Sequence, residues 1–177
     1  MAEEHKQPAQ NALLQMLHRM GDADTLVPKI FEMIGHSKFF SDFSREDVER
    51  LAAFMQAYHA DAGETIIREG DVDDYMLLIV DGRVEIVKTD SHGESRPMTV
   101  VGAGATLGEM SMIDGEPRFA TCVALEPTTF AVLSRDSMVK IILEEPGLGS
   151  KILIKLVTLL SQRLRATSSN LLHYLER

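Results

Sequence analysis

The sequence has a single cysteine, Cys122, among its 177 residues, so no intrachain disulfide can form and the fold must stand on packing alone. Thr121, Val123 and Ala124 around it read as a strand, which makes Cys122 a buried thiol and fits a reducing, cytoplasmic setting. Long apolar runs are missing as well. Nothing approaches the roughly 20 residues that span a bilayer, and Met1 to Gln10 is polar without the apolar centre of a secretion signal, so membrane insertion and secretion are disfavoured. Positive charge is scarce. Eighteen Lys and Arg stand against 27 Asp and Glu, a net charge of −9, the opposite of the basic surface that a nucleic acid backbone requires. DNA is therefore not an expected partner, and neither is a membrane.

Catalytic signatures are also absent. His5, His18, His36, His59, His92 and His173 are scattered singly, whereas a metal site in a small β-barrel needs two histidines one residue apart on a strand, with a carboxylate and a further His. No phosphate-binding Gly-rich loop and no nucleophile motif stands out. The expectation is a chain that is not an enzyme and carries neither metal nor cofactor.

What is present begins with short apolar runs separated by turn residues. They cover Glu64 to Arg68, Tyr75 to Val80, Arg83 to Lys88, Met98 to Val101, Thr121 to Ala124 and Thr129 to Leu133. Ala62-Gly63, Glu69-Gly70-Asp71, Asp81-Gly82, Ser91-His92-Gly93 and Gly102-Ala103-Gly104 lie between them. The alternation in Arg83-Val84-Glu85-Ile86-Val87-Lys88 predicts a half-buried strand, and Asp81-Gly82 before it reads as a tight hairpin. With 45% apolar and 25% charged residues the chain can bury one good core. The predicted class is α+β: an antiparallel, jelly-roll-like β-roll of about eight strands with helices at both ends.

One segment, Gly108 to Thr121 (GEMSMIDGEPRFAT), carries chemistry. Gly108 permits close backbone approach to a ligand, and Met110, Ser111, Met112 and Ile113 can form a helical turn whose free N–H groups face an anion. Arg118 offers a planar fork suited to two parallel hydrogen bonds with a phosphate. Glu109 would be repelled by that phosphate unless it accepts a hydrogen bond from a ribose hydroxyl. A cyclic nucleotide meets all these demands together. The plainer alternative is a surface ion pair between Glu109 and Arg118, with the Met and Ile positions as ordinary core.

From about Phe39 to Pro146 the chain resembles the cyclic nucleotide-binding domain of bacterial cyclic AMP receptor proteins, cyclic AMP-dependent protein kinase regulatory subunits and cyclic nucleotide-gated channels. Gly63, Gly70, Gly82, Gly104 and Gly108 stand where that family turns its strands, and the separation of Gly108 from Arg118 matches the kinase subunits. The resemblance implies that Glu109 binds the ribose 2′-hydroxyl, that Arg118 binds the phosphate, and that the backbone of Gly108, Met110 and Ala120 completes the cradle. Two positions depart from the family: Leu107 replaces a Phe, and Phe119 stands where Ser, Thr or Ala usually follows the arginine. Phe119 supplies no hydroxyl to the phosphate, and its ring can shade the pocket.

The C-terminal stretch predicts a long helix. After the Pro146-Gly147-Leu148-Gly149 break no Pro or Gly interrupts the chain, giving roughly 26 helical residues, about 40 Å. Leu153, Val157, Leu160, Leu164, Thr167, Leu171 and Tyr174 recur at alternating spacings of four and three, the pattern of a coiled-coil seam and hence of a homodimer. An amphipathic helix lying on its own domain is the competing reading. The same stretch is similar to the dimer helix of the receptor proteins, which implies that Thr167 and Ser168 contact the adenine, whereas Thr167 as a lone polar seam residue would only tune register. Those proteins continue into a winged helix-turn-helix, which has no counterpart up to Arg177.

At the other end, Ala2 to Gln10 is expected to be disordered. Leu13, Leu14, Met16, Leu17 and Met20 predict an apolar helical face ending near Gly21, Thr25 to Ile34 a second helix, and Ser44 the N-cap of a third. The expected organisation is an N-terminal helical extension (1–38), a nucleotide-binding roll (39–146) with its cassette at 107–121, and a dimer or lid helix (147–177). The expected function is a cytoplasmic cyclic nucleotide sensor, most naturally for cyclic AMP, that signals to a protein partner through movement of its helices. A same-fold scaffold that has lost the nucleotide, or a module for another anion such as a cyclic dinucleotide, is the alternative.

Overall fold

The structure is a computed structural model that describes residues 11–175. Ala2 to Gln10, for which disorder is expected, lies outside the described residues. Two antiparallel sheets form the roll. The larger runs in the order β1 (His18–Asp22), β2 (Gln56–Ala60), β9 (Thr128–Ser134), β4 (Tyr75–Asp81) and β7 (Thr106–Leu107). The smaller runs β3 (Thr65–Ile67), β8 (Thr121–Ala124), β5 (Arg83–Thr89) and β6 (Ser95–Gly102). Among the described residues six α-helices accompany them: α1 (Ala12–Met16), α2 (Val27–Met33), α3 (Arg45–Ala52), α4 (Glu109–Asp114), α5 (Arg135–Glu144) and α6 (Pro146–Leu175). Neither β2 nor α5 is among the elements that the sequence pattern picks out.

The two-residue period of β4 explains why the molecule has two apolar cores. Tyr75, Leu77 and Ile79 point into the roll and join Phe130 and Val132 of β9 and Val84 of β5. Met76, Leu78 and Val80 point the other way, where Ala131 and Leu133 of β9 meet the helices through Phe40, Leu51, Ile141, Ile152 and Leu156. A strand buried on both faces reads as a continuous apolar run, as Tyr75 to Val80 does.

Asp81-Gly82 is not a hairpin. β4 and β5 belong to different sheets, and this dipeptide is the corner that carries the chain from one to the other. Gly82 has φ +95°, and a Cβ there would fall 2.8 Å from the Pro127 carbonyl oxygen and the Thr128 Cα. The real hairpin joins β5 to β6. At its tip the Asp90 carboxylate accepts from the N–H groups of His92 (2.9 Å) and Glu94 (3.0 Å).

The N-terminal segment departs from a single helix. α1 ends at Met16, and His18–Asp22 instead pairs with β2 as the edge strand β1, with a register shift between Arg19 and Gly21. Leu13, Leu14 and Leu17 are buried as the helical face implies, but Met16 and Met20 are exposed. Pairing satisfies the outer edge of β2, a long-range demand that overrides the local helical spacing.

α3 begins as expected. Ser44 accepts from the Asp47 N–H (3.1 Å) and Asp47 accepts from the Ser44 N–H (2.9 Å), a reciprocal cap. Burial favours the neutral Asp47 acid, but hydrogen bonds from Lys151 of α6 (2.7 Å) and from Ser44 outweigh it and hold the pKa at about 2. The charged Asp47 thus anchors α6 to α3, and Lys155 pairs with Asp42 one turn further on.

α6 runs through both glycines that read as a break. Gly149 is there because α5 packs against α6: a Cβ would lie 2.9 Å from Ile142 Cα. Ile152 and Leu156 are fully buried on the roll, while Leu153, Val157, Leu164 and Leu171 face outward and Leu160 is half-buried. The helix therefore has one apolar stripe against its own domain and a second left uncovered; the Tyr174 side chain lies outside the described residues. Among the described residues, no helix is long and apolar enough to cross a membrane.

Candidate functional site

Gly108, Glu109, Met110, Arg118, Phe119 and Ala120 line one cavity of about 120 Å³, walled on the apolar side by Ile67, Ile86 and Leu107. β7 delivers the chain to Gly108, which adopts φ +79° and starts α4. Its lack of a side chain is required twice over: the conformation is left-handed, and a Cβ would lie 2.5 Å from Nη1 of Arg118. Nη1 uses that closeness to donate to the Gly108 carbonyl at 2.9 Å.

Arg118 is held by its backbone and by its plane. Its N–H donates to Asp71 O (2.8 Å) and its carbonyl accepts from Gly70 N (2.9 Å). The guanidinium carbon lies 4.3 Å from the centre of the Tyr75 ring, and the Tyr75 hydroxyl donates to Ile66 O at 3.2 Å. Nε stands 3.7 Å from an Asp73 carboxylate oxygen, inside ion-pair range but beyond a hydrogen bond. The side chain is 1% exposed, and neither Nε nor Nη2 has a hydrogen-bond partner among the described residues. Buried guanidinium donors left unpaired are costly and mark a position built for something else.

Glu109 is 1% exposed and comes from the first turn of α4. Nη1 of Arg163, reaching down from α6, pairs with its Oε1, while Oε2 has no hydrogen-bond partner among the described residues. Arg163 also donates through Nη2 to Thr106 O at 2.9 Å, so α6 is pinned to the strand that leads into the cassette. Burial lowers the Arg163 pKa from its usual value, but a guanidinium stays charged. Burial pushes the Tyr75 phenol above its ordinary range and the Cys122 thiol up to about 12, which holds Cys122, on the cavity wall, in its protonated form.

The remaining candidates divide. Phe119 is 55% exposed at the mouth, with Lys88 Nζ 4.5 Å from its ring centre and donating to its carbonyl at 2.7 Å. Its ring covers the rim rather than filling the core. Thr167 and Ser168 are exposed on α6 and do not line the cavity. The residue that does reach it from α6 is Arg163, which the sequence reading overlooked. A signal was available: Arg163 lies four residues before Thr167 and therefore on the same helical face. Of the two residues that support Arg118, Tyr75 reads in the sequence only as the start of a strand, and Asp73 belongs to no predicted element.

An antiparallel roll with a glycine-led helical turn, a buried carboxylate and a buried arginine beneath a long helix defines a class of small-anion receptor. A family profile for the cyclic nucleotide-binding domain matches residues 58–145. A cyclic nucleotide-binding domain from Methylobacillus flagellatus KT superposes with a TM-score of 0.81 and 42% identity, over 92% of each chain. The cyclic AMP receptor protein of Thermus thermophilus is 30% identical over 73% of this chain and 58% of its own length. A cAMP-dependent protein kinase regulatory subunit of Yarrowia lipolytica is 30% identical over 65% of this chain and 29% of its own. The chain belongs to the cyclic nucleotide-binding domain family. It spans little more than half of the first curated relative and under a third of the second.

Proposed function

We propose that this chain is a cytoplasmic regulatory module that senses cyclic AMP and passes the signal to a protein partner. The observation that carries the reading is Arg118: a guanidinium 1% exposed, two of whose nitrogens have no hydrogen-bond partner among the described residues, lining one cavity with a buried carboxylate whose Oε2 likewise has none. A cyclic phosphate diester brings one negative charge for the first and a ribose hydroxyl for the second. Gly108, Met110 and Ala120 provide backbone at the same cavity, and two relatives carry cyclic AMP in their names. Thr167 and Ser168 are assigned to the base, which they reach if α6 or a second copy moves over the cavity.

The signal has two mechanical routes. Arg163 ties Glu109 to α6, and Arg135 at the start of α5 donates to the carbonyls of Met112 (2.7 Å) and Ser111 (2.9 Å) at the end of α4. A ligand that engages Glu109 competes with Arg163, so its binding energy acts on the position of α6 as a population shift. Thermal unfolding tests the ligand. At one hundred times its dissociation constant, cyclic AMP should stabilise the fold by about 2.7 kcal/mol and raise Tm by roughly 5 to 10 °C. A shift with a cyclic dinucleotide alone would reassign the ligand. No shift with any cyclic nucleotide at millimolar concentration would favour a scaffold, a reading supported by the Arg163–Glu109 pair that engages the pocket's carboxylate and by Phe119 at its mouth.

The uncovered stripe of α6 is assigned to a second copy of the chain, because Leu153, Val157, Leu160 and Leu164 present the self-complementary seam of a coiled coil. Leu160→Lys with Leu164→Lys would set like charges against their symmetry mates and should yield monomers in light scattering. A parent protein that is monomeric at tens of micromolar would remove the dimer from the proposal.

A further inference from the structure

A cavity of about 420 Å³ shares Arg163 with the cassette cavity. It is a half-open cavity lined by α6 (Leu159, Gln162, Arg163), the segment after α2 (His36, Lys38, Phe39) and the turn from Val101 to Thr106. Its volume falls in the range of small-molecule sites, roughly 300 to 1,000 Å³, whereas the cassette cavity of about 120 Å³ does not. The wall is firm: Ser37 donates to the Gly104 carbonyl at 2.8 Å, and a Cβ on Gly104 would sit 3.1 Å from Ser37 Cβ.

The chemistry of the lining is one-sided. In a chain of net charge −9, this cavity is lined by Lys38 and Arg163 and, among the described residues, by no carboxylate. The Lys38 side chain has no ion pair or hydrogen bond with any described residue. Thr106 adds a buried hydroxyl that has no partner among the described residues. Phe39, Val101 and Leu159 provide apolar surface beside the charges. Cations next to an apolar wall suit an organic anion, a carboxylate or phosphate on a compact apolar body.

Arg163 lines both cavities. We propose that the larger cavity is a second ligand site, for a small amphipathic organic anion, and that its occupant draws Arg163 from Glu109 and thereby opens the cassette. The site stands on its own lining; its coupling to nucleotide rests on the cyclic nucleotide reading above. An anion in the larger cavity competes with Glu109 for the position of the Arg163 guanidinium, so its binding favours conformations in which the Glu109 carboxylate is free. Linkage then requires that each ligand strengthen the binding of the other.

Phenyl phosphate is the probe, with neutral benzyl alcohol as its control, followed by 15N–1H spectra of the full chain. Phenyl phosphate should shift the amides of Val101 to Thr106 and of Gln162 to Ala166. Lys38→Glu, an exposed substitution whose intact fold is read from the rest of the spectrum, should weaken that binding by about fivefold or more. With the probe present, cyclic AMP should bind several-fold more tightly by calorimetry. Shifts confined to Gly108–Met110 and Phe119–Ala120, insensitivity to Lys38→Glu, or equal shifts with benzyl alcohol would overturn the site. Shifts in the expected place with unchanged cyclic AMP affinity would overturn the coupling. A chain that binds no cyclic nucleotide would fail the earlier reading while the phenyl phosphate titration still decides this one.

Discussion

Arg118→Ala is expected to weaken cyclic AMP binding by at least about thirtyfold, because removing one partner of a buried charge pair costs on the order of 2 to 5 kcal/mol. The magnitude follows from burial. At 1% exposure the guanidinium has lost its water, and Nε and Nη2 have no hydrogen-bond acceptor among the described residues. A phosphate that meets them gains two charge-assisted bonds without any cost in ordering, since Tyr75 and the Gly108 carbonyl already fix the plane. Arg118→Lys keeps the charge but loses the fork and the flat contact with Tyr75, so its affinity should fall between the two. Glu109→Ala should cost less than Arg118→Ala, for a ribose hydroxyl is neutral and Arg163 would lose its counter-charge at the same time. Calorimetry measures all three, and Tm separates binding from folding, because Arg118→Ala also leaves Asp73 without its nearest guanidinium. Parent-like affinity in Arg118→Ala would show that the phosphate does not lie there.

Gly82→Ala should be among the most damaging single-methyl substitutions in the chain, with a loss of about 3 to 5 kcal/mol of folding stability. The left-handed conformation at φ +95° alone costs a non-glycine residue about 1 to 2 kcal/mol. The rest is steric: the new Cβ would meet the Thr128 hydroxyl at 2.5 Å and, at 2.8 Å, the Pro127 carbonyl and Thr128 Cα, which are backbone and cannot turn aside. Gly63→Ala is the control. Gly63 has φ +88° but nothing within 4 Å of its Cβ position, so it should show the conformational cost alone, about 1 to 2 kcal/mol. Urea unfolding of both variants gives the difference. Equal losses at the two positions would mean that the corner relaxes around the methyl group and that the packing of the β8–β9 connection against it contributes nothing.

The contrast between these glycines shows what a sequence conceals. Both read as turn residues, and both take positive φ. Only the fold puts the β8–β9 connection against one of them, more than forty residues away in the chain. The same limit explains the Asp81-Gly82 reading: a tight turn is local and legible, but whether the strands on either side pair with each other or leave for different sheets depends on partners elsewhere. Helical spacing from Leu13 to Met20 likewise describes which side chains are apolar, and it could not register the open edge of β2 that recruits His18–Asp22. Gly149 reads as part of a break before the last helix because glycine costs helix stability by about 1 kcal/mol, an effect that close packing of α5 on α6 outweighs.

By itself the sequence determined the elements whose signals are local. These are the strand runs with their two-residue period, the Ser44–Asp47 cap, the buried thiol of Cys122, the long last helix and the cassette in which Gly108, Glu109, Met110, Arg118, Phe119 and Ala120 converge. Each depends on backbone preference or on residues close in the chain, so the pattern is written where it acts. The tertiary structure alone decided the strand order, the corner at Gly82, the seating of Arg118 between Tyr75 and Asp73, and the reach of Arg163 from α6 to Glu109. Those contacts join residues distant in the chain, and for the two arginines they depend on where a long, flexible side chain finds its counter-charge. No local spacing encodes that; packing of the two sheets and α6 does.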